Sequence, residues 1–247
     1  MPLAHRYALY LTPAGPWHEH GSRWLGRCAD TGAALPAPPG QPAAWQEWTR
    51  APRHYGLHAT LKPPFRPRPG CRPQDIDTAA RQLAKSSRPF AVELECAPLR
   101  GFLAWRIAAS DPHGQACMQA LAEAAVRDLD PWRAPATPEE IARRHPQSLT
   151  PAQRAMLERW GYPYVFETYT FHITLTGKLA GEALEQARAG ISVFADPLRG
   201  QAMPVTGVSI YVQPAPGADF VAARHYHFDG SCADAAGAGY LQGPAAP

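Results

Sequence analysis

Two short stretches constrain this chain more than anything else in it: His58-Ala59-Thr60-Leu61 and His172-Ile173-Thr174-Leu175-Thr176. Each sits inside an apolar run with strand character, and along a strand successive side chains alternate between faces. The alternation sets His58, Thr60 and Lys62 against Leu57, Ala59 and Leu61. In the second stretch it sets His172, Thr174 and Thr176 against Phe171, Ile173 and Leu175. One face can then pack on a core while the His/Thr face looks into a cleft. In a chain with ten histidines, chance supplies only about 0.04 His-x-Thr-Leu strings. A lone histidine on a strand is ordinarily a hydrogen-bonded structural residue, but a matched pair points to an active site.

The rest of the chain arranges itself around these two strands. A first strand is expected over 6–11, where Arg6, Ala8 and Tyr10 share one face and Tyr7, Leu9 and Leu11 the other. A short helix is expected over 17–28 and a loop over 33–44. The first motif strand should end at Pro63-Pro64, because proline cannot donate to a ladder. Helices are expected over 75–86 and 113–129, with antiparallel strands over 90–96 and 102–108. The stripe Met118, Leu121, Ala125 and Leu129 reads as core contacts. Thr137-Pro138-Glu139-Glu140 and Thr150-Pro151-Ala152-Gln153 each combine an N-cap, a first-turn proline and a glutamate or glutamine at the third position. They predict two short helices, 138–145 and 151–160, within an inserted subdomain or lid. A helix over 180–194 and strands over 205–213 and 220–228 follow, and the Ala/Gly-rich end should fray.

Each half therefore reads strand, helix, motif strand, helix, strand, strand. That predicts an α+β fold in which two pseudo-symmetric lobes, with antiparallel sheets, flank a central cleft. The expected division is lobe one over 5–130, a helical insert over 131–163, lobe two over 164–228 and a flexible tail over 229–247, all in a single bilobal domain.

Composition narrows the function classes. A net charge of +3 is mildly basic, which fits a small anionic phosphorylated substrate better than DNA. RNA is a weaker fit, for want of a basic stripe beside the Trp and Arg residues of 17–53. No apolar run is long enough for a membrane span, and residues 1–10 lack the pattern of a signal peptide, so a cytoplasmic protein is expected. The five cysteines are scattered, without a C-x-x-C spacing, and read as reduced thiols rather than disulfides or metal ligands. His18-x-His20 and His225-x-His227 invite a metal reading, but neither has a Cys or carboxylate set completing a tetrahedral site, so they are read as surface histidines. No metal and no cofactor is called for.

Two histidines facing each other across a cleft suit acid–base work, since imidazole titrates nearest neutral pH. One would take a proton from water attacking phosphorus; the other would protonate the departing oxygen. Thr60 and Thr174 would hydrogen-bond the non-bridging oxygens. Candidate substrate-binding groups are Lys62, Arg6, Tyr10, Arg53, Tyr211, Arg133 and Thr176.

The doubled His-x-Thr strand motif resembles the two-histidine phosphoesterase superfamily. More narrowly, RYALYLTP, WLGRCADTG, PRHYGLHATLKPPF, WRAPATPEEIARR, LTPAQRAMLERWGYPYV and FHITLTGKL resemble the branch encoded beside carbon–phosphorus lyase genes in bacterial phosphonate operons. The resemblance runs over about 5–228 and implies the bilobal α+β fold, with His58 and His172 as catalytic histidines and Thr60 and Thr174 as their partners. It further implies opening of 5-phosphoribosyl 1,2-cyclic phosphate in phosphonate catabolism, with Arg133 and the insert near the 5-phosphate. Two alternatives stand beside this: action on RNA 2′,3′-cyclic ends or 2′-5′ linkages, and a non-catalytic binder of nucleotides or sugar phosphates.

Overall fold

The alternation over 6–11 becomes strand β1 (Arg6–Leu11), whose Tyr7, Leu9 and Leu11 enter the main core while Ala8 and Tyr10 join a small cluster on the opposite face. The computed structural model describes residues 3–242. After β1 the chain runs through α1 (Pro16–Leu25), α2 (Trp45–Arg53), β2 (Ala59–Phe65), α3 (Pro73–Ser86), β3 (Phe90–Val92), β4 (Leu94–Leu99) and β5 (Phe102–Ile107). Then come α4 (Pro112–Leu129), α5 (Pro138–Ala142), α6 (Pro151–Trp160), β6 (Ile173–Thr174), α7 (Gly181–Phe194), β7 (Met203–Val205), β8 (Gly207–Gln213), β9 (Val221–His227) and β10 (Cys232–Asp234). The expected α+β class, with antiparallel strands, is what the chain adopts.

Eight strands form one antiparallel sheet in the order β10-β9-β8-β1-β2-β6-β5-β4, and β3 pairs with β7 apart from it. The two motif strands are neighbours at its centre, with Ala59 opposite Ile173. The sheets expected on either side of the cleft are thus joined edge to edge. Their strands are also exchanged between the sequence segments. β4 and β5, from the first segment, flank β6, while β8 and β9, from the second, flank β1 and β2.

Apolar faces dictate the layers. α3 and α4 pack on β2, β8 and β9, and α7 covers β4 and β5. The expected stripe on α4 is fully in the core, with Met118, Leu121, Ala125 and Leu129 all buried. Helix α2 had no clear sequence signature; Trp45 and Trp48 bury its inner face, and the Trp45 indole donates to Trp24 O at 2.8 Å.

Lys62 departs from strict alternation. Tyr10 lies opposite Thr60 but Leu9 lies opposite Lys62, so β2 carries one residue more than β1 there. Such a bulge moves the next side chain to the other face. Lys62 consequently turns with Leu9 toward the helices, where it is 1% exposed and its Nζ donates to Asp130 Oδ1 at 2.6 Å and Val126 O at 3.3 Å. Burial pulls its pKa down to about 8 against the opposing pull of Asp130. Lys62 is a structural cation and does not reach the cleft.

Both capped insert helices form as their sequences specify. Thr137 Oγ1 accepts from Glu140 N at 3.2 Å while Glu140 Oε2 accepts from Thr137 N at 3.0 Å. Thr150 and Gln153 repeat the exchange at 3.2 and 3.1 Å. The end of the chain differs from expectation. Residues 232–234 add a strand, Leu241 is buried, and Tyr7 donates its hydroxyl to Tyr240 O at 2.9 Å. Of the tail expected to fray, 243–247 lie outside the described residues.

Removing one partner of a buried ion pair strands the other charge. Asp130→Ala is therefore expected to lower the unfolding free energy by about 3–5 kcal/mol, and Lys62→Met by clearly less. Urea unfolding of both variants checks the ordering.

Candidate active site

The pairing of Ala59 with Ile173 fixes the site by geometry. Extending that antiparallel register by one residue each way sets His58 opposite Thr174 and Thr60 opposite His172. All four side chains share one face, with the two histidines on one diagonal and the two threonines on the other. Diagonal neighbours on a sheet lie about 7–8 Å apart, a spacing that leaves room for a phosphoryl group between the imidazoles.

The same local device orients both rings. His58 Nδ1 lies 3.0 Å from Gly56 O, and His172 Nδ1 lies 2.8 Å from Thr170 O. A carbonyl only accepts, so each Nδ1 carries the proton and each Nε2 keeps a lone pair. Gly56 is required for this: its φ is 77°, and a Cβ there would lie 2.5 Å from the Ala29 Cβ. Tyr10 stacks on the His58 ring at 3.9 Å between centroids, and Phe102 lies 5.7 Å from His172. Among the described residues neither Thr60 nor Thr174 spends its hydroxyl on a protein hydrogen bond, so both remain available to a ligand.

Burial dominates the electrostatics of the two imidazoles. It lowers the His58 pKa to about 4, with the Gly56 hydrogen bond opposing and His172 adding to the depression. Burial also lowers His172, opposed by Thr170 O and assisted by the nearby Arg100 and Arg106. Both rings are neutral at neutral pH in the free protein.

A cavity of about 440 Å³ opens over the array, lined by His58, Thr60 and Thr174. His172 enters a narrow adjoining recess with Arg100 and Tyr164, and Thr60, Pro63 and Tyr162 wall both spaces. The main cavity carries five arginines, at 6, 66, 133, 143 and 144, against the single carboxylate of Glu140. Glu140 receives Arg6 at 3.1 Å and Arg66 at 3.2 Å. Burial alone would raise its pKa, but the Arg66 hydrogen bond, Thr137 N and the two guanidinium charges bring it to about 2. Arg143 and Arg144, in contrast, spend no side-chain ion pair among the described residues; Arg144 lies over Tyr162, 4.7 Å from its centroid.

Of the residues expected to bind substrate, Arg6, Tyr10 and Arg133 reach the cavity. Arg133 is largely committed, donating to Asp130 Oδ1 at 2.8 Å and to Arg159 O at 3.2 Å. Besides Lys62, three others are corrected. Arg53 donates to Leu25 O at 2.7 Å and Thr49 Oγ1 at 2.6 Å, bracing α2 against α1. Thr176 is buried past the end of β6, where its hydroxyl accepts from Leu103 N at 3.0 Å and donates to Gly177 O at 2.8 Å. Tyr211 is buried behind the site, donating to Leu57 O at 3.3 Å. Sequence reasoning missed Arg66, Arg100, Arg143 and Arg144. The adjacent pair at 143–144 had a signal, since it closes a helix whose cap was already legible.

Residues 60–221 match a family described as "Protein of unknown function (DUF1045)". The chain belongs to this family. Its range runs from Thr60 past the second motif, so it takes in His172 and both threonines. A relative from Janthinobacterium sp. (strain Marseille), named Ribose 1,5-bisphosphate phosphokinase PhnN, is 35% identical over 239 residues, covering 91% of this chain and 51% of its own length. One of the same name from Laribacter hongkongensis (strain HLHK9) is 36% identical over 217 residues, covering 87% and 50%. The chain spans about half the length of the curated relatives it matches.

A histidine whose folded pKa lies below the ordinary 6.5 favours the fold fully above that value and progressively less as pH falls toward about 4. Wild-type stability is expected to drop across that window more than that of His58→Gln. Urea midpoints at the two ends of the window measure the difference.

Proposed function

We propose that this chain is a phosphodiesterase that opens a cyclic phosphate on a small sugar phosphate, with 5-phosphoribosyl 1,2-cyclic phosphate as the substrate. The observation that carries this reading is the diagonal pair of imidazoles, each held by the same carbonyl device, with His58 at the wall of an arginine-rich cavity and His172 in the recess that adjoins it. His58, driven to about 4, enters unprotonated and takes a proton from water as the water oxygen bonds to phosphorus. His172 gains a proton as the anion binds and gives it to the ring oxygen as the P–O bond breaks. Thr60 and Thr174 donate to the non-bridging oxygens as charge shifts onto them. Among the described residues the cavity's one carboxylate, Glu140, is taken up by Arg6 and Arg66, which supports acid–base work by the two imidazoles.

Breaking the bond to O2 of that substrate yields ribose 1,5-bisphosphate, the compound for which both relatives are named. On this reading the chain, which matches half of each relative, supplies that compound within phosphonate catabolism. The phosphokinase activity would reside in the other half. This chain carries no Gly-x-x-x-x-Gly-Lys-Ser/Thr loop to hold a nucleotide's phosphates, which supports that division. The two-histidine superfamily resemblance gives the same chemistry.

Aromatic stacking of Tyr55 on Phe220 at 5.2 Å, both at the cavity wall, favours a second reading. A nucleoside 2′,3′-cyclic phosphate could lay its base there.

Phosphorus NMR of the purified protein with 5-phosphoribosyl 1,2-cyclic phosphate should show ring opening. His58→Ala and His172→Ala should each lose about 10²–10⁴-fold in rate; full activity in either variant sinks the proposal. Faster turnover of nucleoside 2′,3′-cyclic phosphates selects the second reading. The pH profile has a defined sign. In the free protein His58 must be deprotonated and His172 protonated, so kcat/KM should rise as pH passes about 4 and fall again below the ordinary imidazole range, because burial lowers His172 too. The basic limb of kcat should lie higher, because the bound anion favours imidazolium.

A further inference from the structure

On the far side of Tyr211 from the catalytic array lies a second cluster of reactive side chains. His18 comes from the first turn of α1, Cys28 and Asp30 from the turn that follows this helix, and His225 from β9. One ligand atom each from His18, Cys28 and Asp30 can be chosen so that all three lie within 4.8 Å of one another. His18 Nε2 stands 3.4 Å from Asp30 Oδ2, yet among the described residues no hydrogen bond joins them. Two ligands about 2.0–2.1 Å from a tetrahedral ion are separated by about 3.4 Å. The gap is thus that of two corners of a coordination tetrahedron.

The surrounding residues hold this set in place. Ser209 donates its hydroxyl to His225 Nδ1 at 2.7 Å, so His225 Nε2–H faces Asp30 Oδ1 at 3.1 Å. One carboxylate oxygen is fixed from behind while the other is left toward His18, the arrangement by which an outer partner orients a metal-bound carboxylate. The turn itself is tied to the sheet, with Ala222 N donating to Ala29 O at 3.0 Å and Ala236 N to Asp30 O at 2.8 Å. Beside the cluster a cavity of about 190 Å³, bounded by Thr12, His18, Asp30, Ser209 and His225, leaves room for a water at a fourth position. It shares no wall residue with the catalytic cavity or its recess.

We propose that His18, Cys28 and Asp30 bind a divalent transition-metal ion of the zinc class, with His225 positioning Asp30 and water completing the tetrahedron. The donor set of one thiolate, one imidazole and one carboxylate selects borderline-soft ions over magnesium or calcium. Cys28 and His18 are too far apart in sequence, and His225 farther still, for spacing to announce the site. Ser209, which donates to His225, accepts from Thr12 at 3.0 Å, and the Thr12 hydroxyl lies 3.1 Å from that of Tyr211, beside the first motif. The ion would therefore brace the turn behind the first motif without touching substrate.

Titration of the purified chain with zinc against a chromophoric chelator should show one equivalent bound. Cobalt(II) in its place should give a thiolate charge-transfer band. Cys28→Ser should abolish the band. His18→Ala should cost more than His225→Ala, for which a loss of about 10–100-fold in affinity is expected. The double variant His58→Ala/His172→Ala should bind as the wild type does. Zinc should raise the melting temperature of the wild type but not of Cys28→Ser, and equal melting temperatures in chelator would show that Cys28→Ser folds. No binding at equimolar metal, cobalt binding without the band, unchanged affinity in Cys28→Ser, or loss in the double histidine variant would each overturn the site. None of these readouts depends on turnover.

Discussion

One short antiparallel contact, Ala59 against Ile173, sets everything that follows. Because side chains alternate with a period of two, this register alone decides that both histidines and both threonines share a face. A slip of one motif strand by one residue would turn its histidine and threonine to the core face and its leucines to the cleft face. The leucine sides of both strands are in the main core, so hydrophobic burial holds the register and the register holds the site. β6 itself is only two residues long. Its position is secured from both sides, by β2 and by β5, where Trp105 also faces Ile173.

The charge arrangement follows a similar economy. The arginines of the cavity come from β1, the segment after β2, and the insert, yet one carboxylate, Glu140, ties the first two sources to the third. That residue is also the third position of its helix cap. A single side chain thereby closes the N-terminus of α5, docks the insert on the sheet and orients Arg6 and Arg66 at the cavity wall. The cost is that Glu140 offsets one of the two guanidinium charges it holds, while the more exposed Arg143 and Arg144 add positive charge at the cavity with no ion pair among the described residues.

How much of this could be read in advance depended on the range of the interactions involved. Local signals were legible: the His-x-Thr strands, the caps at Thr137 and Thr150, the α4 stripe. What failed was set by pairing. Lys62 follows the alternation rule in sequence, but a bulge against β1 turned it inward, and no residue type announces that bulge. Tyr211 and Thr176 failed the same way, each placed by a partner strand or loop distant in the chain. Arg53 was captured by the backbone of α1. The Ala/Gly-rich end looked unable to pack because its few anchors, such as Leu241, lie in a segment that packs on α3 and β9 rather than following any periodicity of their own.

The exchange of strands between the two sequence segments explains why the insert sits where it does. Between α4 and β6 the chain must pass from the helical layer to the cleft side of the sheet centre, and residues 131–163 make that passage. Their walls, Ala134, Ala136, Gly161 and Tyr162, then roof the space above the histidines. A roof built from the connection itself limits the cavity to about 440 Å³, the volume range of small-molecule sites. The same topological step that brings the second motif strand against the first thus also sets these insert residues at the wall of the cavity beside His58.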